Sequence, residues 1–275
     1  MKNKSLQNRR IAITGGARGI GLATAALLHR LGATVIIGDL DAASAIEAAA
    51  AIGPDVQAYP LDVSDRESFA AFIKQATASG PLDVLVNNAG IMPIGAFLEQ
   101  SADVHRRAVE INVLGCLYGM YLALPAMVGS GSGHIINVAS TAGKTPVPGG
   151  LTYCGTKAAV VALTETARVE YSGSGVRFTC ILPHFTNTEL IAGTTATKLI
   201  PVVEPDDVAA AIADAIVKPR ADVYVPGIVG LVISVNSLIG RRLRDFLSRR
   251  LGAYDTFLKF DKSARASYTR RITQS

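Results

Sequence analysis

Arg10-Ile11-Ala12-Ile13-Thr14-Gly15-Gly16-Ala17-Arg18-Gly19-Ile20-Gly21 is an apolar run of strand length that ends in a glycine-rich turn and opens a helical pattern over Gly21–Leu31. The same alternation recurs outward from it. Thr34–Gly38, Val56–Leu61, Val84–Asn87, His134–Val138, Arg177–Ile181 and Asp222–Val225 read as further strands. Helical stretches lie between them, for example the alanine-rich Ala42–Ile52. Val- and Ile-rich strands that are apolar on both faces belong in a parallel sheet covered by helices on two sides. The spacing therefore predicts an α/β fold, a doubly wound parallel sheet of seven strands, with ligands at the carboxyl ends of the strands. Residues 1–227 form one such domain, and residues 228–275 an extension with a basic amphipathic helix.

Composition supports one large core. Of 275 residues, 49% are hydrophobic and 18% charged, which excludes a disordered chain or a polar scaffold. Cys116, Cys154 and Cys180 have no ligand spacing and are expected to be reduced core thiols; no metal site is expected. The polar N-terminus lacks an apolar signal region, so a cytoplasmic location is expected. Charge is uneven: residues 218–275 hold twelve Lys/Arg against four Asp/Glu, while the remainder is slightly acidic. The basic balance belongs to the extension and not to the core domain.

The turn Thr14–Gly21 has the chemistry of a nucleotide site. Gly15, Gly19 and Gly21 permit a tight turn and close approach of backbone N–H groups to a pyrophosphate, and Ile20 lies in the same segment. Asp39 ends the second strand, where a carboxylate accepts hydrogen bonds from an adenosine ribose and repels a 2′-phosphate. This favours NAD over NADP. Arg18 argues the other way, since a cation in the turn could meet that phosphate. Asp39 could instead cap the following helix.

Tyr153 and Lys157 stand four apart at the start of a helical stretch and so share one face. A tyrosine ordinarily ionises near pH 10, too high for a base at neutrality; a neighbouring cation lowers that value. Alone the pair is a common accident. Ser140 at the end of HIINV, Asn87-Asn88-Ala89-Gly90 at the end of the fourth strand and Asn112 within VEINVLGCLYGM give it company.

With TGxxxGxG at Thr14–Gly21, NNAG at Asn87–Gly90, Asp62 after the third strand and the set Asn112/Ser140/Tyr153/Lys157, the chain resembles the short-chain dehydrogenase/reductase family over roughly residues 8–227. The resemblance implies a Rossmann fold and a hydride exchanged between a nicotinamide cofactor and an alcohol or ketone. It implies that Tyr153 exchanges the proton with the substrate oxygen, that Ser140 hydrogen-bonds that oxygen, and that Lys157 binds the nicotinamide ribose and lowers the Tyr153 pKa. Asn112 would hold a water linked to Lys157. Asp62 and Val63 would contact adenine, Asn88, Ala89 and Gly90 would line the adenosine ribose, and Thr186 and Thr188 would hold the nicotinamide end. A homo-oligomer is implied by the same analogy.

One position departs from the family pattern. Pro183-His184-Phe185-Thr186-Asn187-Thr188 carries His184 where a glycine is usual. Its ring either enters the substrate pocket as a polar contact or turns away and packs. In the extension, the apolar stretch Gly227–Gly240 is too short for a membrane span. Beyond it Ile239, Leu243, Phe246, Leu247 and Leu251 recur at helical spacing, with Arg241, Arg242, Arg244, Arg249 and Arg250 around them. Such a helix either packs on the body or another subunit, or lies on an anionic membrane. In both cases it borders the substrate entrance and favours apolar substrates.

The expected activity is NAD-dependent interconversion of a hydrophobic secondary alcohol, such as a sterol- or lipid-like molecule, and its ketone. The alternatives are an NADPH-dependent carbonyl reductase, or a membrane-associated protein that binds NAD without turnover. No nucleic-acid motif accompanies the basic extension.

Overall fold

The computed structural model describes residues 5–195, 201–250 and 254–274. Among these residues seven strands, β1 (Arg10–Thr14), β2 (Thr34–Asp39), β3 (Gln57–Pro60), β4 (Val84–Asn87), β5 (Gly133–Val138), β6 (Val176–Pro183) and β7 (Asp222–Val225), form one sheet in the order β3-β2-β1-β4-β5-β6-β7. Every pairing is parallel. The expected strands are all present, with ends shifted by a residue or two.

The period-two alternation of each strand divides the core. Ile11, Ile13, Val35, Ile37, Ile136 and Ile181 point to one face, where α1 (Gly19–Arg30), α2 (Ala42–Ile52) and α7 (Pro205–Val217) cover them. Ala12, Ile36, Ile135, Cys180 and Leu182 point to the other, under α3 (Arg66–Ala76), α5 (Gly115–Ser130) and α6 (Leu151–Glu170). Cap residues match the helix starts: Asp41 accepts from the Ser44 N–H, and Asp65 from Glu67 and Ser68. The cap of α2 is thus Asp41, which leaves Asp39 for another role.

Before α5 runs α4 (Ala102–Val109), joined to it by a single π-helical turn, Glu110–Leu114, that contains Asn112. The combined helix, Ala102–Ser130, is long and apolar enough to span a membrane. Here it packs into the core through Cys116, Met120, Ala123, Leu124 and Met127.

A third, smaller apolar cluster sits above the carboxyl ends of the strands: Met92, Ile94, Ala142, Tyr153 and Phe257, with Phe185, Leu190, Ile191 and Phe260 against it. Part of it comes from the extension. After β7 follow α8 (Ile228–Leu238), α9 (Arg241–Arg250) and α10 (Ala266–Gln274). Ile239, expected inside the basic helix, is instead the C-cap of α8. An apolar residue in extended conformation ends one helix there, and Gly240 separates it from the next. Leu251, and the side chains of Arg244, Leu247 and Arg249, lie outside the described residues.

Candidate active site

The chain order reverses direction across the sheet between β1 and β4, so a crevice opens at the carboxyl ends of those two strands. The turn after β1 and the loop after β4 are locked together there. The Thr14 hydroxyl accepts from the N–H groups of Asn88 and Ala89, both at 3.0 Å. The Asn88 side-chain amide donates to the carbonyls of Thr14 and Gly15 at 2.9 and 3.0 Å. One cavity of about 1080 Å³ extends from this crevice to the extension.

Of the residues expected in the site, Gly15, Arg18, Gly19, Ile20, Asp39, Asp62, Val63, Asn88, Ala89, Gly90, Ser140, Tyr153, Lys157, His184, Thr186 and Thr188 all line this cavity. Gly21 and Asn112 stand behind its wall. Gly21 is required by closeness: a Cβ there would lie 2.0 Å from the Gly15 carbonyl oxygen. Gly19 is required by conformation, with φ of +55° in the left-handed region.

These residues fit a nicotinamide dinucleotide. No side chain caps α1 and no acid occupies its first turn. Its leading N–H groups and positive dipole end therefore face the crevice available to an anion. Asp39 is held at the rim by the N–H groups of Ala17 (3.1 Å) and Asp41 (3.2 Å). Arg18 does not reach into the crevice as a lone cation. Its guanidinium pairs with Asp41 at 2.8 Å and contacts the Ser44 hydroxyl. Ser44 and then Arg18 hold the Asp41 carboxyl below its ordinary range.

The end of the cavity that holds Ser140, Tyr153 and Lys157 is built on β5 and α6. Tyr153 and Lys157 are both buried on one face of α6. The Lys157 ammonium donates to the Val138 carbonyl at 2.8 Å and lies 5.9 Å from the Tyr153 ring centre. Burial pulls its pKa down to about 8. Burial pushes the Tyr153 phenol up, opposed by a hydrogen bond with the Ser140 hydroxyl. Burial and Ser140, with smaller contributions from Tyr268 and Cys154, thus set the phenol in the protein alone. Ser140 is itself fixed as the cap of a short turn, accepting from the Ala142 N–H at 3.1 Å.

Asn112 acts as a tie. Its side chain accepts from the Ile91 N–H at 2.8 Å and donates to the Ile91 carbonyl and the Thr156 hydroxyl, both at 2.9 Å. The π turn rotates it out of α-helical register toward the loop after β4; such turns recur at functional sites. A cavity of about 10 Å³, on the scale of one water, touches both Asn112 and Lys157.

The His184 ring packs. It meets Phe185 edge-on at 5.1 Å, and its Nδ1 lies 3.3 Å from the Thr141 hydroxyl. Its Nε2 is buried without a partner among the described residues. Burial lowers its pKa, so the ring forms a neutral wall.

Sequence reasoning missed the roof. Tyr268 of α10 is buried, accepts from the Met92 N–H at 2.8 Å, and lies close enough to Tyr153 to oppose its ionisation. Arg265, fully buried, donates to the carbonyls of Met92 (2.6 Å), Leu190 (2.6 Å) and Ala192 (3.1 Å) and lies over the Tyr268 ring. Phe257 covers the Gly149–Gly150 turn. A faint signal existed: Arg265, Tyr268 and Ile272 fall on one helical face, and all three are buried.

Fold and site together define an oxidoreductase architecture, and comparison with known proteins agrees. The family model for short chain dehydrogenases matches residues 9–199, and the chain belongs to that family. Estradiol 17-beta-dehydrogenase 11 of Rattus norvegicus is 32% identical over 267 residues, covering 94% of this chain and 88% of the relative. A 2,5-dichloro-2,5-cyclohexadiene-1,4-diol dehydrogenase of Sphingobium indicum is 39% identical over 184 residues, 66% of this chain and 74% of the relative. Among solved structures, a short-chain dehydrogenase/reductase from Burkholderia phymatum in complex with NAD superposes with a TM-score of 0.76 at 25% identity, covering 83% of this chain and 93% of that one. The protein is an oxidoreductase of the NAD(P)-binding type.

Proposed function

We propose that this enzyme interconverts a hydrophobic secondary alcohol and its ketone with NAD as cofactor. The observation that carries the reading is the convergence of Ser140, Tyr153 and Lys157 on the cavity that also holds the glycine turn and Asp39. When bound, the dinucleotide would accept or supply the hydride. In alcohol oxidation Tyr153 takes the hydroxyl proton as the carbinol C–H bond breaks; in reduction it returns it. Ser140 hydrogen-bonds the substrate oxygen and the phenol. Lys157, anchored by the Val138 carbonyl, would bind the nicotinamide ribose, and its charge favours the phenolate once the phenol begins to ionise. The cavity beside Asn112 gives Lys157 room for one water through which a proton can be replaced.

NAD is favoured over NADP because Asp39 sets a fixed carboxylate at the ribose end, while Arg18 is already neutralised by Asp41. An apolar substrate is favoured by the walls of Met92, Val147, Leu190, Ile191, Ile233 and Phe257. Relatives named for estradiol and for a chlorinated cyclohexadienediol point the same way.

The test is nicotinamide reduction across hydrophobic secondary alcohols with both cofactors. Expected is a kcat/KM at least about tenfold higher with NAD, a difference of about 1.4 kcal/mol, and loss of turnover in Tyr153→Phe. Preference for NADP would favour the carbonyl-reductase reading, and turnover surviving in the Phe variant would overturn the proton role.

A further inference from the structure

We propose that α8 and α9 form a docking surface for an anionic phospholipid bilayer, placed at the mouth of the substrate cavity. Helix α8 carries apolar side chains on two opposite sides, with Asn236 the polar member of the inner one. Its inner side chains Val229, Ile233 and Asn236 line the cavity, and Gly230 lies close against Tyr224 of β7. Its outer side chains Ile228, Leu231, Val235 and Leu238 are at least half exposed, Leu238 by 87%. An apolar helix face is ordinarily buried; here the outer stripe of a helix already seated on the body faces outward. Leu243 and Phe246 of α9 continue it, also exposed.

Charge identifies the occupant. From Val223 to Arg244 the sequence contains no Asp or Glu, and Arg241, Arg242 and Arg250 are exposed around the apolar residues of α9. Apolar side chains flanked by arginines match the boundary between acyl chains and anionic headgroups. A second copy of the same surface would bring the same arginines and no carboxylate from α8 or the first turn of α9. Eleven residues of helix are also too short to span a bilayer, so the contact lies in the interface plane. Seated there, the inner face of α8 places the cavity mouth beside the hydrocarbon from which an apolar substrate would come.

The experiment is co-sedimentation of the full chain with vesicles of phosphatidylcholine containing about 30 mol % phosphatidylglycerol, and with pure phosphatidylcholine. The triple change Leu231→Asp, Val235→Asp, Leu238→Asp and the double change Arg241→Glu, Arg242→Glu are run beside the parent. Expected is binding to anionic vesicles, reduced at least about tenfold by each set of changes, and about fivefold or more on pure phosphatidylcholine. None of these five side chains lines the cavity. Turnover of a small water-soluble alcohol should therefore persist, which separates failure of docking from failure of the activity assignment. The proposal is overturned if the parent stays in the supernatant or if the variants bind as the parent does. It is equally overturned if sedimentation equilibrium shows that the surface joins two copies.

Discussion

The backbone N–H of Met92 donates to the Tyr268 hydroxyl at 2.8 Å, joining the loop after β4 to the last helix of the chain. Both residues are buried in the wall of the cavity. Tyr268→Phe leaves a buried N–H without a partner, a loss of about 1–3 kcal/mol. Thermal unfolding should shift down accordingly. KM for a bulky alcohol should rise while NAD affinity, measured by fluorescence, stays unchanged, because the bond lies on the substrate side.

Arg265 supplies a fork to three carbonyls from two loops. Arg265→Lys keeps the charge but cannot match that planar geometry. Limited trypsin digestion should therefore release the segment 254–274 faster from both Arg265→Ala and Arg265→Lys. Equal resistance of the Lys variant and the parent would show that charge alone holds the roof.

Gly21→Ala places a methyl group 2.0 Å from the Gly15 carbonyl oxygen, backbone that cannot give way without moving the turn. NAD affinity should fall at least about tenfold, the scale of about 1.4 kcal/mol. Far-UV circular dichroism should remain that of the parent, since the sheet is anchored elsewhere.

Asp39→Ala removes the rim carboxylate and should raise relative use of NADP by about tenfold or more in kcat/KM. Arg18→Ala should leave cofactor preference unchanged, because Arg18 is engaged by Asp41. A large loss of NADP use in that variant would restore Arg18 as a phosphate ligand.

His134 is buried in β5, beside the Thr179 hydroxyl at 2.8 Å, and burial lowers its pKa to about 4. The unfolded chain takes up a proton at this residue near pH 6.5 and the folded chain does not until about 4. Stability is therefore lost as pH falls between those values, by about 3 kcal/mol across the window. Urea midpoints at pH 7 and pH 5 should diverge in the parent, and less so in His134→Gln.

Much of this protein is legible in one dimension. Local alternation of apolar residues sets which strand faces are buried, so the seven strands can be placed from the chain alone. Thr14–Gly21, Asn88–Gly90 and Tyr153/Lys157 are legible because each depends on short-range geometry: a tight turn, a strand end, one helix face. Arg18 is harder to read for the opposite reason. Its partner Asp41 lies 23 residues away, and a lone guanidinium in the sequence does not show that it is already paired. The role of the extension likewise needs three dimensions. Arg265 and Tyr268 stand in the sequence as members of a basic, solvated tail, yet they are buried because they meet carbonyls and an N–H from loops 73 to 176 residues away. Sequence periodicity determined the sheet, and local spacing placed the glycine turn at the head of α1 and Tyr153 and Lys157 on one face of α6. Only long-range packing decided which segment roofs the cavity, because a buried polar group is stable only where distant backbone supplies its partners.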